Sequence, residues 1–336
     1  MFLLPLLLTF AAPSVKAEAG RVVIAGIETK TGTVAVVQDK RSDETPMLGV
    51  WTTEDKSLTF TPRFAFEAGV TYRIVIADQL DTTFTLPAST AAPGKVDIIH
   101  PQADKLPANL LRFYIHFDSE MKQGQAAKHL SLLNADGKAV AYPFLQLDEE
   151  LWSDDGKRFT LLLDPGRVKK ELRPRQELGP VLEEGKKYTL VIGRDFQTQT
   201  GKPLAAEVRK TFTVTAPFDN ALDPSKWKVF VPKVGTRDVV EIKFNVLLDH
   251  ALLARVLTIE TAAGESVAGT VTFDTDDTHW RWTPKTVWPA GDYRIVIQNV
   301  LEDVCGNRIG AAFDAVIGEV GARRLKEPTK LSFVVK

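Results

Sequence analysis

The side chains that could carry chemistry are few, and their spacing is unpromising. Gly264-Glu-Ser-Val-Ala268 falls one glycine short of a nucleophile elbow, and it sits between strand-like runs rather than at a strand-to-helix turn. Gly179 and Gly185-Lys186-Lys187 imitate a phosphate loop, but five residues intervene and no Ser or Thr follows the lysine. The five histidines, His100, His116, His129, His250 and His279, show neither a His-Glu-x-x-His pattern nor i, i+2 spacing. His116 alternates with Tyr114 and is expected on the polar face of a strand. Asp274, Asp276 and Asp277 could offer oxygens to calcium, yet the glycine and distal glutamate of an EF-hand loop are missing. The acidic pairs Asp154-Asp155 and Glu183-Glu184 lie in turns, where carboxylates are solvated. Cys305, the single cysteine, rules out an intrachain disulfide, and it reads as a half-buried thiol or one able to pair between chains. No catalytic residue, no metal ligand and no cofactor is proposed by these patterns.

Tryptophans raise a sharper question. Trp280 and Trp282, two apart, share one face of a strand and could form a platform for stacking sugars. An internal repeat decides against this. Phe66-Glu-Ala-Gly-Val-Thr-Tyr72 followed by Arg-Ile-Val-Ile76 matches Leu182-Glu-Glu-Gly-Lys-Lys-Tyr188 followed by Thr-Leu-Val-Ile192 without a gap. Trp288-Pro-Ala-Gly-Asp-Tyr293 followed by Arg-Ile-Val-Ile297 matches both with one deletion. Before each copy lies a proline (Pro62, Pro165, Pro284) and an alternating strand carrying Leu58/Phe60, Leu161/Leu163 or Trp280/Trp282. After each comes a strand centred on Phe84, Phe212 or Phe333. Trp280 and Trp282 therefore occupy core positions, and Trp288 is the anchor equivalent to Phe66 and Leu182. Trp51, Trp152 and Trp227 have no counterpart in the repeat and are expected to pack between units.

Each repeat is a set of short strands with glycine turns, Asn134-Ala-Asp-Gly137 and Ala263-Gly264 among them. Beyond the leader, nothing as long as a globular helix shows the apolar period of one. The expected class is all-β: three tandem Ig-like β-sandwich units, the first one short. Their boundaries are 20–88, a Pro/Ala/Ser linker at 89–95, 96–215, and 218–336. Residues 1–17 read as a signal peptide. The apolar run Phe2–Ala12 is too short to span a bilayer, and Val15-Lys16-Ala17 supplies small residues for a cut after Ala17. No Lys or Arg precedes that run; the α-amino group serves as the positive charge, or the start lies upstream, or the run is instead a buried strand or helix. No later apolar segment is long enough to cross a bilayer as a helix, so no transmembrane segment is expected in the mature chain.

With 42 Lys+Arg against 43 Asp+Glu, the chain has no basic excess to displace counterions from nucleic acid.

Phe117-Asp-Ser-Glu-Met121, Gly185-Lys-Lys-Tyr188, Thr200-Gly-Lys-Pro-Leu204 and Lys210-Thr-Phe-Thr-Val214 together resemble the bacterial Ig-like domain of the S-layer-protein (SbsA) type. Leu301-Glu-Asp-Val-Cys-Gly-Asn307 is similar to that family's Asp-x-x-Gly-Asn turn. The resemblance covers units two and three, and unit one in its second half; Asn245-Val-Leu-Leu248 departs from it. It implies export (periplasm, cell surface or medium) and a non-enzymatic role as a spacer or binding module of the cell envelope.

One segment is not explained by the repeat. Three residues separate proline from anchor in units one and three, but unit two has sixteen, Gly166–Val181. This insertion carries Arg167, Lys169, Lys170, Arg173 and Arg175, with Val168 and Leu172 expected to face inward from a helical turn before Pro174. It is either a structural insertion or a contact for an anionic partner, such as an acidic envelope polymer or an acidic protein face. A carbohydrate-binding module is the alternative, and a hydrolase with an unrecognised site the remote one.

Overall fold

A computed structural model describes residues 13–336 apart from 19, 28, 37–44, 55–56, 88–89, 170–171, 275–277 and 315–326. Residues 1–12 of the expected leader, Lys170, Asp276 and Asp277 thus lie outside the described residues.

The chain is all-β, with only four short α-helices among the described residues. The first sandwich contains β1 (Ser14–Glu18), β2 (Arg21–Ala25), β3 (Thr33–Val36), β4 (Gly49–Glu54), β5 (Ser57–Pro62), β6 (Thr71–Ile76) and β7 (Leu80–Thr85). They form sheets in the orders β1-β2-β5-β4 and β3-β6-β7. The unit is short but has seven strands, because tight turns such as Ala77–Gln79 replace the longer connections of its neighbours. Its edge strand β1 runs across the expected cleavage point and pairs Val15 with Ile24 and Ala17 with Val22.

The second sandwich is built from β8 (Val96–His100), β9 (Lys105–Pro107), β10 (Arg112–Phe117), β11 (Leu130–Leu133), β12 (Arg158–Leu162), β13 (Lys187–Ile192) and β14 (Val208–Thr215). Its short helices are α1 (Ala126–His129), α2 (Pro165–Val168) and α3 (Arg173–Leu178). The sheets are β12-β10-β8 and β11-β13-β14-β9. In the third, β15 (Lys228–Phe230), β16 (Val240–Lys243), α4 (His250–Leu253), β17 (Leu257–Thr261), β18 (Gly269–Phe273), β19 (His279–Pro284), β20 (Gly291–Ile297) and β21 (Thr329–Val335) make sheets β15-β16-β19-β18 and β17-β20-β21. Among the described residues no helix is long and apolar enough to cross a membrane.

The repeat has a physical basis in cross-strand pairs. Tyr72 lies opposite Phe84, Tyr188 opposite Phe212, and Tyr293 opposite Phe333. Their rings stack at 5.3, 6.2 and 5.5 Å, close to the separation at which aromatic pairs add to burial. Each tyrosine hydroxyl then reaches back to the residue after the anchor. Tyr72 Oη accepts from the Glu67 amide and Tyr188 Oη from the Glu183 amide. In the third unit Pro289 has no N–H, and the bond reverses: Tyr293 Oη donates to the Pro289 carbonyl at 3.1 Å.

Inward pairs fill each core: Val22–Phe60 and Ile24–Leu58, Phe113–Leu161 and Ile115–Phe159, Val240–Trp282 and Ile242–Trp280. Trp280 and Trp282 are 0% and 8% exposed, as the repeat requires, so they are no sugar platform. Their bulk needs a partner without a side chain. A Cβ at Gly269 would fall inside contact distance of the Trp282 indole, and one at Gly49 would collide with Phe60 in the same way.

Three tryptophans depart from expectation. Trp51 packs on Phe60, Trp152 on Phe117 and Phe159, and Trp227 on Phe244, each inside its own sandwich rather than between units.

The described residues fall into two compact units: the first sandwich with Gln199–Lys202, and Gly94–Thr198 with Pro203–Lys336. The second and third sandwiches thus share one compact unit, and Val304 and Cys305 of the third belong to the hydrophobic cluster of the second.

Candidate site at the joint between the second and third sandwiches

β10 alternates cleanly. Phe113, Ile115 and Phe117 enter the core of the second sandwich, and Arg112, Tyr114 and His116 point the other way. That polar face is not left to water. Tyr114 is buried, and its hydroxyl donates to Asp249 Oδ2 of the third sandwich at 2.7 Å. Arg112 Nη2 donates to Glu302 Oε2 at 2.8 Å, and its Nη1 lies 3.5 Å from Asp249 Oδ2. Asp249 is buried and caps α4, its Oδ1 accepting from the Leu252 amide. Glu302 in turn accepts from Arg308. Burial opposes the charge of Arg112, but Asp249, Tyr114 and Glu302 outweigh it and raise its pKa. Burial and the Asp249 charge push the Tyr114 hydroxyl up as well, so it stays a donor.

A second set of bonds fixes the connecting segment. Asn109 faces Phe218 like an added strand: its Nδ2 donates to the Phe218 carbonyl at 2.8 Å and its Oδ1 accepts the Phe218 amide at 2.9 Å. Asn307 Nδ2 donates to the same carbonyl at 2.7 Å, and its Oδ1 accepts the Phe313 amide. The Leu301–Asn307 turn singled out in the sequence is therefore the clamp. Asp303 Oδ1 accepts the Cys305 and Asn307 amides, and Oδ2 accepts Asn307 Nδ2. Burial raises the Asp303 carboxyl to about 6, against the pull of those donors. Cys305 is fully buried, with Sγ 3.0 Å from Asn109 Oδ1, and burial raises its thiol. It is neither half-exposed nor placed to pair between chains.

Three of the five histidines meet beside this network. His100 ends β8, His116 lies on β10 and His250 opens α4. The rings of His100 and His250 stack at 3.5 Å, and His116 stands edge-on to them at 5.6 and 6.2 Å. Burial, then the neighbouring His100 and His250, push His116 down to about 4, so it is neutral at pH 7. Linear spacing could not show this cluster, because its members come from two sandwiches and His250 is remote in the chain from the other two. His129 instead stacks on Phe196, and His279 bonds to Asp274, which also holds the Thr278 and His279 amides. Asp274 is thus occupied with its own turn.

The basic insertion behaves differently from a contact loop. Arg167 is 4% exposed, and its guanidinium donates to the carbonyls of Ala141, Tyr142, Leu178, Gly179 and Pro180. Its donors are spent within the second sandwich, on carbonyls of the insertion and of the Ala141–Tyr142 segment, so it offers none to a partner. Arg175 Nη1 donates to the carbonyls of Arg167 and Val168. Lys169 lies over the Phe313 ring of the third sandwich at 4.5 Å. Arg173 is exposed. Val168 is buried as expected, but Leu172 is 43% exposed, because it caps α3, whose first turn holds Pro174, instead of lying in a turn before it. A cavity of about 400 Å³ lies between this segment and the third sandwich. Lys169 and Arg175 line it, but so do Glu183, Glu184, Asp219 and Asp314, so its charge does not select an anion.

No protein-family model matches the chain, and no curated protein does. Several solved structures align along it. The FN1–FN3 domains of chicken CNTN1 are 8% identical, covering 97% of this chain and 98% of that one, with a TM-score of 0.23. The I9–I11 tandem from titin is 13% identical over 86% and 96%, with a TM-score of 0.21. The N-terminal part of the bacterial S-layer protein SbsC is 13% identical over 73% of this chain and 44% of that one, with a TM-score of 0.26. At such identities and scores the sandwich architecture rests on the strand pairings above, and no activity is carried across.

Proposed function

We propose that the chain is an exported, non-enzymatic cell-envelope protein whose second and third sandwiches form a stiff spacer. The observation that carries this reading is the clamped connection at Phe218, held by Asn109 of one sandwich and Asn307 of the other. A flexible tether between tandem domains leaves its backbone to water and lets the domains swing. Here the tether is hydrogen-bonded like a strand, and the flanking faces are joined by the Arg112–Asp249–Glu302 network. The Tyr114, Asp249, Arg112 and Glu302 side chains are engaged with one another across the joint, which supports a structural use. Export rests on the leader-like N-terminus and on the resemblance of units two and three to envelope Ig-like domains. An acidic partner is not part of the proposal, since Arg167 and Arg175 are turned inward.

Two measurements test it. Limited proteolysis of the folded protein should leave 216–222 uncut while other loops are nicked; early cleavage there overturns the stiff joint. Fractionation of cells making the full chain should recover it processed, in the envelope or the medium. An unprocessed cytosolic protein overturns the export.

A further inference from the structure

We propose that His100, His116 and His250 bind one divalent first-row transition-metal ion, such as zinc, that bridges the second and third sandwiches. The case is geometric. One ligand nitrogen from each of the three residues can be chosen so that all lie within 4.8 Å of one another. Tetrahedral zinc with bonds of about 2.0–2.1 Å sets its ligand nitrogens about 3.3 Å apart, so the rings need to close by no more than about 1.5 Å. The His100–His250 stack must also open by ring rotation, because an imidazole lone pair lies in its ring plane and two rings 3.5 Å apart and within 14° of parallel cannot both aim at one ion. Three imidazoles form a donor set suited to zinc, copper or nickel, and unsuited to the hard ions magnesium and calcium.

A second observation points to a ligand. His116 Nε2 is buried and has no hydrogen-bond partner. Leaving such a nitrogen dry costs free energy unless something accepts its lone pair or its proton. Its ring stands at 89° to that of His250, so it approaches from a different direction than the stacked pair. With three protein ligands, the fourth position of a tetrahedral ion is left to water.

The position of the three residues says what the ion would do. His100 and His116 belong to the second sandwich and His250 to the third. A shared ion would tie the two bodies at one edge of the joint, next to the Tyr114–Asp249 bond. This inference is independent of where the protein resides and of whether the joint is stiff without metal.

The test uses untagged full-length protein, stripped with a chelator and titrated calorimetrically with zinc chloride alone. One equivalent is expected. His116→Asn and His250→Asn should each lower the affinity by more than about tenfold, while His129→Asn, away from the cluster, should not. Zinc at 100 times its Kd should raise the melting midpoint of the wild-type protein by about 5 °C or more. Should a histidine variant fail to fold, cobalt(II) on the wild-type protein gives a separate reading, with ligand-field bands of a tetrahedral nitrogen site expected. No stoichiometric zinc uptake, binding that survives in both variants, or a cobalt spectrum identical to the aqueous ion would each overturn the proposal.

Discussion

Breaking the bond between Tyr114 and Asp249 tests the joint at its most buried point. Asp249→Ala removes three things at once: the acceptor for the Tyr114 hydroxyl at 2.7 Å, a charge 3.5 Å from Arg112, and the cap of α4. The lost cap costs about 1 kcal/mol. Breaking a buried charge pair from one side costs about 3–5 kcal/mol, and the low end applies because Arg112 keeps Glu302. The single variant should therefore lose about 3–4 kcal/mol. Tyr114→Phe should lose about 1.5–3 kcal/mol, the contribution of a hydrogen bond to a charged group. The pair is decisive. In a double-mutant cycle the two losses should overlap by about 1.5 kcal/mol or more. Urea unfolding followed by tryptophan fluorescence is the assay, because Trp227, Trp280, Trp282 and Trp288 all belong to the third sandwich. Additive losses, with a coupling below about 0.5 kcal/mol, would show that the two groups do not depend on each other and refute the lock.

Three further outcomes follow from particular side chains. Gly269→Ala drives a Cβ into the Trp282 indole and should destabilise the third sandwich by about 1–3 kcal/mol, whereas alanine at Gly291, whose nearest heavy atom is 3.8 Å away, should have a much smaller effect in the same melt. Arg167→Met strands five carbonyls and should cost about 2–4 kcal/mol, read as an early loss of protease resistance in 166–181; a wild-type melt would show that the guanidinium cage is ornamental. Asp303 titrates near 6 when folded against 3.8 when free, so the native state holds the extra proton between those values and stability falls as pH rises through them. Its burial cost, about 3 kcal/mol, is absent below pH 3.8 and complete above 6. The stability of wild type relative to Asp303→Asn should thus worsen from pH 4 to pH 7, while the lost Asn307 bond contributes a constant offset; a flat difference would contradict the raised pKa.

What was legible in the sequence was whatever a strand period encodes locally. The repeated tyrosine and phenylalanine strands, the anchors Phe66, Leu182 and Trp288, and the buried Trp280 and Trp282 all follow from alternation and the repeat, while the stacking of each Tyr on its Phe came from the fold. The joint was not legible, because alternation distinguishes apolar from polar faces but not a wet polar face from a docked one. His116 and Tyr114 read as the polar face of a strand; the third sandwich docks on that face, with Tyr114 bonded to Asp249 and the neighbouring Arg112 to Glu302. Arg167 misled for a related reason: a basic residue in an insertion suggests a surface, and only the folded loop reveals the ring of carbonyls around it. The Asp303–Asn307 turn was visible as a motif, but its use as a clamp on Phe218 depends on Asn109, which lies far upstream in the preceding sandwich.

The proposed stiff joint between the second and third sandwiches is tested most directly by pulsed dipolar spectroscopy on the full chain. Spin labels at Asp136→Cys and Glu265→Cys, both exposed turn positions on different sandwiches, report the joint; Asp136→Cys with Asp154→Cys reports a single sandwich. Cys305 is buried and stays unlabelled. The account predicts a single distance distribution across the joint, as narrow as the one measured within the second sandwich. A broad or multiple distribution across the joint, beside a narrow one within the sandwich, would contradict it.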